Sequence, residues 1–122
     1  MARTPSTTGG GRSTVYRKGD VVLVPFPFRD QIAAKVRPAL VVSGAAYNAR
    51  GDLIVAAITT HPPRVPSDYP LAAWRRARLV NPSTVRMQLA TLSADRVLYR
   101  PGRILPRDLH VIGTRLREAL DL

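Results

Sequence analysis

The side chains of this chain that could do chemistry are overwhelmingly cationic: lysine and arginine number 19 against 8 aspartates and glutamates, for a formal charge of +11. There is no cysteine, which removes thiol nucleophiles, thiolate metal sites and disulfides together. The two histidines, His61 and His110, stand far apart among few well-spaced carboxylates, so no metal site is expected. Polyanion chemistry remains, because a guanidinium stays charged and its planar fork reaches two phosphate oxygens at once. Trp74-Arg75-Arg76-Ala77-Arg78 sets one stacking surface beside three cations, a combination that single-stranded nucleic acid favours, although Trp74 could equally be core. Arg37 precedes Pro38, which holds the backbone of a loop-to-strand junction extended; taken alone, Arg37 is an ordinary surface arginine. Thr59 ends a long apolar run, where its hydroxyl could donate to a phosphate oxygen, or where a β-branched residue simply suits a strand end. His61 is of the one side-chain type that exchanges protons near pH 7 and could act as a base, yet a lone histidine before two prolines is more often structural.

These groups need a frame, and 122 residues with 45% apolar content supply one core. Only 6% of residues are aromatic, so branched aliphatics must provide the burial, which favours strands. Residues 1–14 have almost nothing to bury and read as a flexible arm, leaving 15–122 as the domain. Only Arg3 and Arg12 of the cations lie in that arm, so the charge belongs to the body. Such a field draws nucleic acid, the commonest cytoplasmic polyanion; an anionic membrane or an acidic protein would satisfy it too. No apolar run approaches the roughly 20 residues of a membrane span, and no signal-peptide pattern opens the chain, so a cytoplasmic protein is expected.

Val21-Val22-Leu23-Val24 reads as a buried strand stopped by Pro25, with a loop running to about Val36. Ala39-Leu40-Val41-Val42 and Leu53-Ile54-Val55-Ala56-Ala57-Ile58 follow as strands, the second of them central. Short strands fit near Tyr69 to Ala73, at Leu79-Val80 and from Ser83 to Met87. After Pro106, Leu109, Ile112, Leu116 and Leu120 recur at helix spacing, with Gly113 as a weak spot and His110 beside the stripe as a structural residue. Short strands closed by one helix predict a mainly β fold, a small barrel or curled sheet.

In order and spacing, Lys18-Gly19-Asp20-Val21-Val22-Leu23-Val24-Pro25-Phe26, then Lys35-Val36-Arg37-Pro38-Ala39-Leu40-Val41-Val42-Ser43, then Asn48, then Asp52 to Thr59, resemble the PemK/MazF toxins. Pro82-Ser83-Thr84-Val85-Arg86, Thr91-Leu92 and Gly102-Arg103-Ile104 continue the likeness, which covers about Tyr16 to Leu120. The resemblance implies an SH3-like barrel of the CcdB/PemK type with a C-terminal helix, usually a homodimer. It implies a toxin of a type II toxin–antitoxin system: a sequence-specific endoribonuclease on single-stranded RNA, an mRNA and sometimes a tRNA or rRNA. A cognate acidic antitoxin blocks such a toxin, and no cofactor, metal or membrane is called for.

Metal-free RNA cleavage uses the strand's own 2′-hydroxyl, so the protein must stabilise the charge on the phosphorane and move two protons. By resemblance Arg37 and Thr59 are catalytic, with Thr60 the aligned residue if the register slips by one. Ser83 and Arg86 fall in the segment similar to the family's second active-site strand and could bind adjacent phosphates, while Arg29 and Lys35, within the loop before Arg37, could guide the RNA toward the site by phosphate contacts. Many relatives carry an acidic residue two positions after the second arginine; here it is Gln88, which takes up no proton near neutral pH. Two other readings follow from the same likeness: a non-catalytic gyrase poison, since CcdB shares the barrel, and an RNA-binding relative without activity.

Overall fold

The run Leu53 to Ile58 offers no polar residue to water, so it needs cover on both sides and becomes the middle of a sheet. In the computed structural model, which describes residues 15–27 and 35–122, β1 spans Asp20–Phe26, β2 Lys35–Val41, β3 Asp52–Thr59, β4 Tyr69–Pro70, β5 Thr84–Ser93 and β6 Tyr99–Arg103. Every pairing is antiparallel in the order β4-β5-β3-β2-β1-β6. The sheet curls into a half-barrel, which is the mainly β architecture expected. Arg29, Phe28 and the arm of residues 1–14 lie outside the described residues.

Alternation along β1, β2 and β3 sends neighbouring side chains to opposite faces, each with its own apolar cluster. On one face Val21, Leu40, Ala56, Ile58 and Val85 meet Leu71, Ala77 and Ile112. On the other, Val22, Val24, Phe26, Val41, Leu53 and Val55 are covered by partly buried Tyr16, Leu92 and Val97. Both clusters are nearly all aliphatic, at about 1.5–3 kcal/mol for each fully buried side chain.

Helix α2 (Pro106–Leu120) starts with Pro106 in its first turn, as its sequence suggests, and packs Leu109, Ile112 and Leu116 on the first cluster. Leu120, the expected fourth member of the stripe, is 52% exposed because the helix has run past the sheet. Asp108 ties the helix down: fully buried, it accepts from the Tyr69 hydroxyl at 2.6 Å and from the amides of Ala72 and Ala73 at 3.2 and 3.1 Å. A second buried polar knot joins Ser43 and Asn48, the latter at the end of the one-turn helix α1 (Ala45–Asn48). The Asn48 amide donates to the carbonyls of Tyr16 and Ser43, which gives this residue of the resemblance a structural task.

The prolines differ from expectation. Pro25 lies inside β1 and Pro38 inside β2. Pairing of β1 with β6 ends at Leu23, and pairing of β2 with β3 extends only to Ala39, so each proline sits where its strand has one partner and no amide is missed. No strand forms at Leu79-Val80; residues 73–79 instead make tight turns. Gly102 of β6 permits this close approach, since a Cβ there would stand 2.6 Å from the Ala77 carbonyl oxygen.

Candidate active site

Three adjacent strands, β5, β3 and β2, bring the candidates together at one end of the sheet. The pair Ala39↔Ala57 fixes the register, and extending it two residues toward the strand ends sets Arg37 opposite Thr59 on the same face. Thr59 pairs in turn with Thr84, so Arg86 and Gln88, two and four residues on, share that face. The ladder is interrupted here. Between Ile58↔Val85 and Ala56↔Leu89, β3 advances two residues and β5 four, so β5 bulges opposite Ala57. Bulges re-aim side chains beside functional sites, and this one carries Arg86, Met87 and Gln88.

The result is a half-open cleft of about 890 Å³ whose walls include Arg37, Thr59, Thr60, His61, Arg86 and Gln88. Pro38, Met87 and Val65 supply apolar wall between the polar groups. Arg37 is exposed, and among the described residues its Nη1 reaches only the neighbouring Val36 carbonyl at 3.3 Å, which leaves its fork open to a ligand. The Thr59 hydroxyl oxygen accepts from the backbone N–H of His61 at 3.2 Å, which leaves its own proton to donate into the cleft. Ser83 lines the cleft but is buried, and its hydroxyl donates to the Asn81 carbonyl at 2.8 Å. It shapes the entry to β5 more than it offers a donor. Lys35 is exposed at the start of β2 and is not part of the cleft wall.

One wall residue escaped the sequence reading. Asp68 is buried, and its Oδ2 accepts from the amides of Arg64 and Val65 at 2.9 and 3.4 Å, closing the turn before β4. Its Oδ1 faces the buried Nε of Arg86 at 3.5 Å. Asp68 therefore holds the inner side of that guanidinium by charge and leaves the two terminal nitrogens to the cleft. Arg115 of α2 braces the same turn, donating to the carbonyls of Pro66 and Asp68 at 2.8 and 2.9 Å while lying over the Tyr69 ring. The available signal was an aspartate three and four residues after two loop amides, the spacing of a side-chain-closed turn.

His110 is exposed on α2 away from the cleft. Trp74 is half-buried against the first cluster and belongs to a separate groove with Arg75 and Arg76. Among the described residues no three His, Cys, Asp or Glu side chains gather as metal ligands would. The cleft thus presents two guanidinium groups and a free hydroxyl proton to one space, an arrangement suited to a phosphodiester.

A family model for the PemK-like, MazF-like toxin of type II toxin–antitoxin systems matches residues 17–120. Among solved structures, the chain is similar to MazF from Deinococcus radiodurans, with 24% identity over 90% of this chain and 100% of that one, and a TM-score of 0.74. It is similar to a mycobacterial endoribonuclease in complex with its cognate antitoxin, with 22% identity over 90% and 97% of the two chains and a TM-score of 0.71. Toxin MazF-mt6 from Mycobacterium tuberculosis gives 20% identity over 84% and 97% and a TM-score of 0.69. At these identities the likeness is one of fold. No curated protein matches the chain in sequence.

Proposed function

Because the chain belongs to the PemK-like, MazF-like toxins of type II toxin–antitoxin systems, we propose that it cuts single-stranded RNA endonucleolytically, without a metal, until an acidic antitoxin occupies its cleft. The observation that carries this reading is the convergence of Arg37, Thr59 and Arg86 on one open cleft. Endoribonucleases of the same fold, one of them solved with its cognate antitoxin, support it.

In the proposed reaction the ribose 2′-oxygen attacks the adjacent phosphorus and loses its proton, while the 5′-oxygen of the next nucleotide leaves and gains one. The products are a 2′,3′-cyclic phosphate and a 5′-hydroxyl. Negative charge builds on the non-bridging oxygens between these events, and preorganised donors aimed at them lower the barrier most. Arg37, which has no acidic partner among the described residues, and the Thr59 hydroxyl face the reacting phosphate. Arg86, held from behind by Asp68, grips it or its neighbour. Thr60, His61 and Gln88 line the path of the flanking nucleotides, and exposed Lys35 at the start of β2 supplies a guiding charge. Exposed Leu98 and Tyr99 at the edge strand β6 offer apolar surface to a second copy, in keeping with a homodimer.

The test is to incubate the purified chain with RNA of mixed sequence, with and without EDTA, and to map 5′ ends by primer extension. Discrete EDTA-resistant cuts leaving cyclic phosphates are expected. Intact RNA overturns the reading, and stabilised gyrase cleavage complexes in its place would make the chain a topoisomerase poison.

A further inference from the structure

A second depression, of about 600 Å³, shares no wall residue with the cleft. Trp74, Arg75, Arg76 and Arg107 line it together with Ala72, Ala73 and Leu105. The Arg75 guanidinium lies 4.9 Å from the centre of the Trp74 ring. Among the described residues the ion pairs are Arg86 with Asp68 and Arg103 with Asp20, so these three arginines have no acidic partner. The carboxylate of Asp108, next in sequence to Arg107, is buried and already accepts from Tyr69, Ala72 and Ala73.

The loop that carries this charge is built. Amides of Arg76, Ala77 and Arg78 donate to the carbonyls of Ala73, Trp74 and Arg75 at 3.1, 3.2 and 3.0 Å. Ala77 is fully buried, and Arg78 adopts a left-handed φ of 66° where Gly102 lets β6 press against the turn. Arg75 gains a contact with the Trp74 ring, but three like charges around one concavity repel each other, and a concave wall focuses their field on an anion. Because the loop is already ordered, little conformational entropy is lost when a ligand binds.

We propose that this groove is a second contact for single-stranded RNA, gripping the strand outside the cleft. The inference rests on the nuclease reading above. Guanidinium forks take the phosphates, and the Trp74–Arg75 pair offers a flat face for a base. An acidic peptide is the weaker match, since the apolar lining available to its anchors is Leu105, two alanines and a Trp74 ring over which Arg75 already lies. The groove begins at Ala72 and the cleft reaches Asp68, and four residues span at most about 14 Å. A short stretch of one strand therefore reaches both.

Trp74 is the only tryptophan, so its emission reports on the groove directly. The full chain carrying Arg37→Ala, which keeps RNA uncut, is titrated with a 20-nucleotide single-stranded RNA over a range of salt, beside the same chain also carrying Arg75→Ala, Arg76→Ala and Arg107→Ala. All three added substitutions are at exposed positions, Arg75 and Arg76 in the turn and Arg107 at the start of α2, and circular dichroism verifies the fold. RNA should quench Trp74, and the triple change should lower the slope of log affinity against log salt by about 2, from roughly 0.7 per lost phosphate contact. With Arg37 intact, the triple change should raise KM for a long RNA and leave kcat near wild type. An unchanged slope, with RNA still bound and wild-type protein still cutting, overturns this proposal alone. Loss of polyglutamate binding without loss of RNA binding overturns it in favour of a protein partner. Failure of the parent protein to bind RNA at all removes both this proposal and the nuclease reading.

Discussion

Arg37 and Asp68 carry opposite assignments that single substitutions separate. Among the described residues the Arg37 side chain bonds only to the adjacent Val36 carbonyl, so Arg37→Ala should leave thermal stability unchanged while lowering RNA cleavage by about 10²–10³-fold, the range for loss of one transition-state donor. Cleavage at the wild-type rate would remove Arg37 from the mechanism. Asp68→Asn keeps an oxygen that can accept from the Arg64 and Val65 amides but loses the charge behind Arg86. It should retain the fold and cut RNA about 10- to 100-fold more slowly, in line with the 1.5–3 kcal/mol typical of a charge-assisted contact. Its effect should vanish in an Arg86→Ala background, and additive losses in that double-mutant cycle would show that Asp68 acts elsewhere. Arg37 and Thr59 could be singled out as candidates because each lies inside an ordered run of motifs, although Arg37, expected at a loop-to-strand junction, is within β2. Asp68 could not be, because its meaning comes from Arg86 on a different strand, and no local spacing connects the two.

At the scale of elements, the Tyr69–Asp108 bond couples β4 to the first turn of α2, and it leaves a signature in pH. Burial, then the hydrogen bond to Asp108, push the Tyr69 hydroxyl up to about 12. The folded chain therefore holds this proton more tightly than the unfolded one, where tyrosine titrates near 10. The contribution is complete below pH 10 and is lost as pH rises from about 10 to 12. Urea midpoints of the wild-type chain should fall more steeply across that window than those of Tyr69→Phe, and parallel curves would contradict the assignment. The strands β1, β2 and β3 and the helix could be read from apolar runs and helix spacing. The second half of β5 and all of β6 could not: Gln88 to Ser93 mixes polar and apolar residues over a bulge, and Tyr99-Arg100-Pro101-Gly102-Arg103 has almost no apolar pattern. β6 is held by long-range contacts instead, chiefly the 2.7 Å pair of Arg103 with buried Asp20 on β1.

Across the whole molecule the charge is spread over cleft, groove and surface, so partners of opposite sign should feel the salt concentration. Neutralisation by a purified cognate antitoxin should weaken as salt is raised from 50 to 500 mM, which inhibition curves at fixed toxin concentration would measure; a constant midpoint would mean that apolar anchors dominate. The two strands at the margins of the sheet carry prolines, Pro70 in β4 and Pro101 in β6, which blunt them against pairing with other chains. The bulge in β5 has a wider meaning. Because the surplus is an even number of residues, side chains before and after it keep their original inside or outside orientation, and the ladder resumes as if uninterrupted. Arg86 to Gln88 thus form slack in an otherwise taut strand. Changes in that slack can retune what the toxin grips without renegotiating the architecture, so new target preferences can arise there while folding is left to other residues.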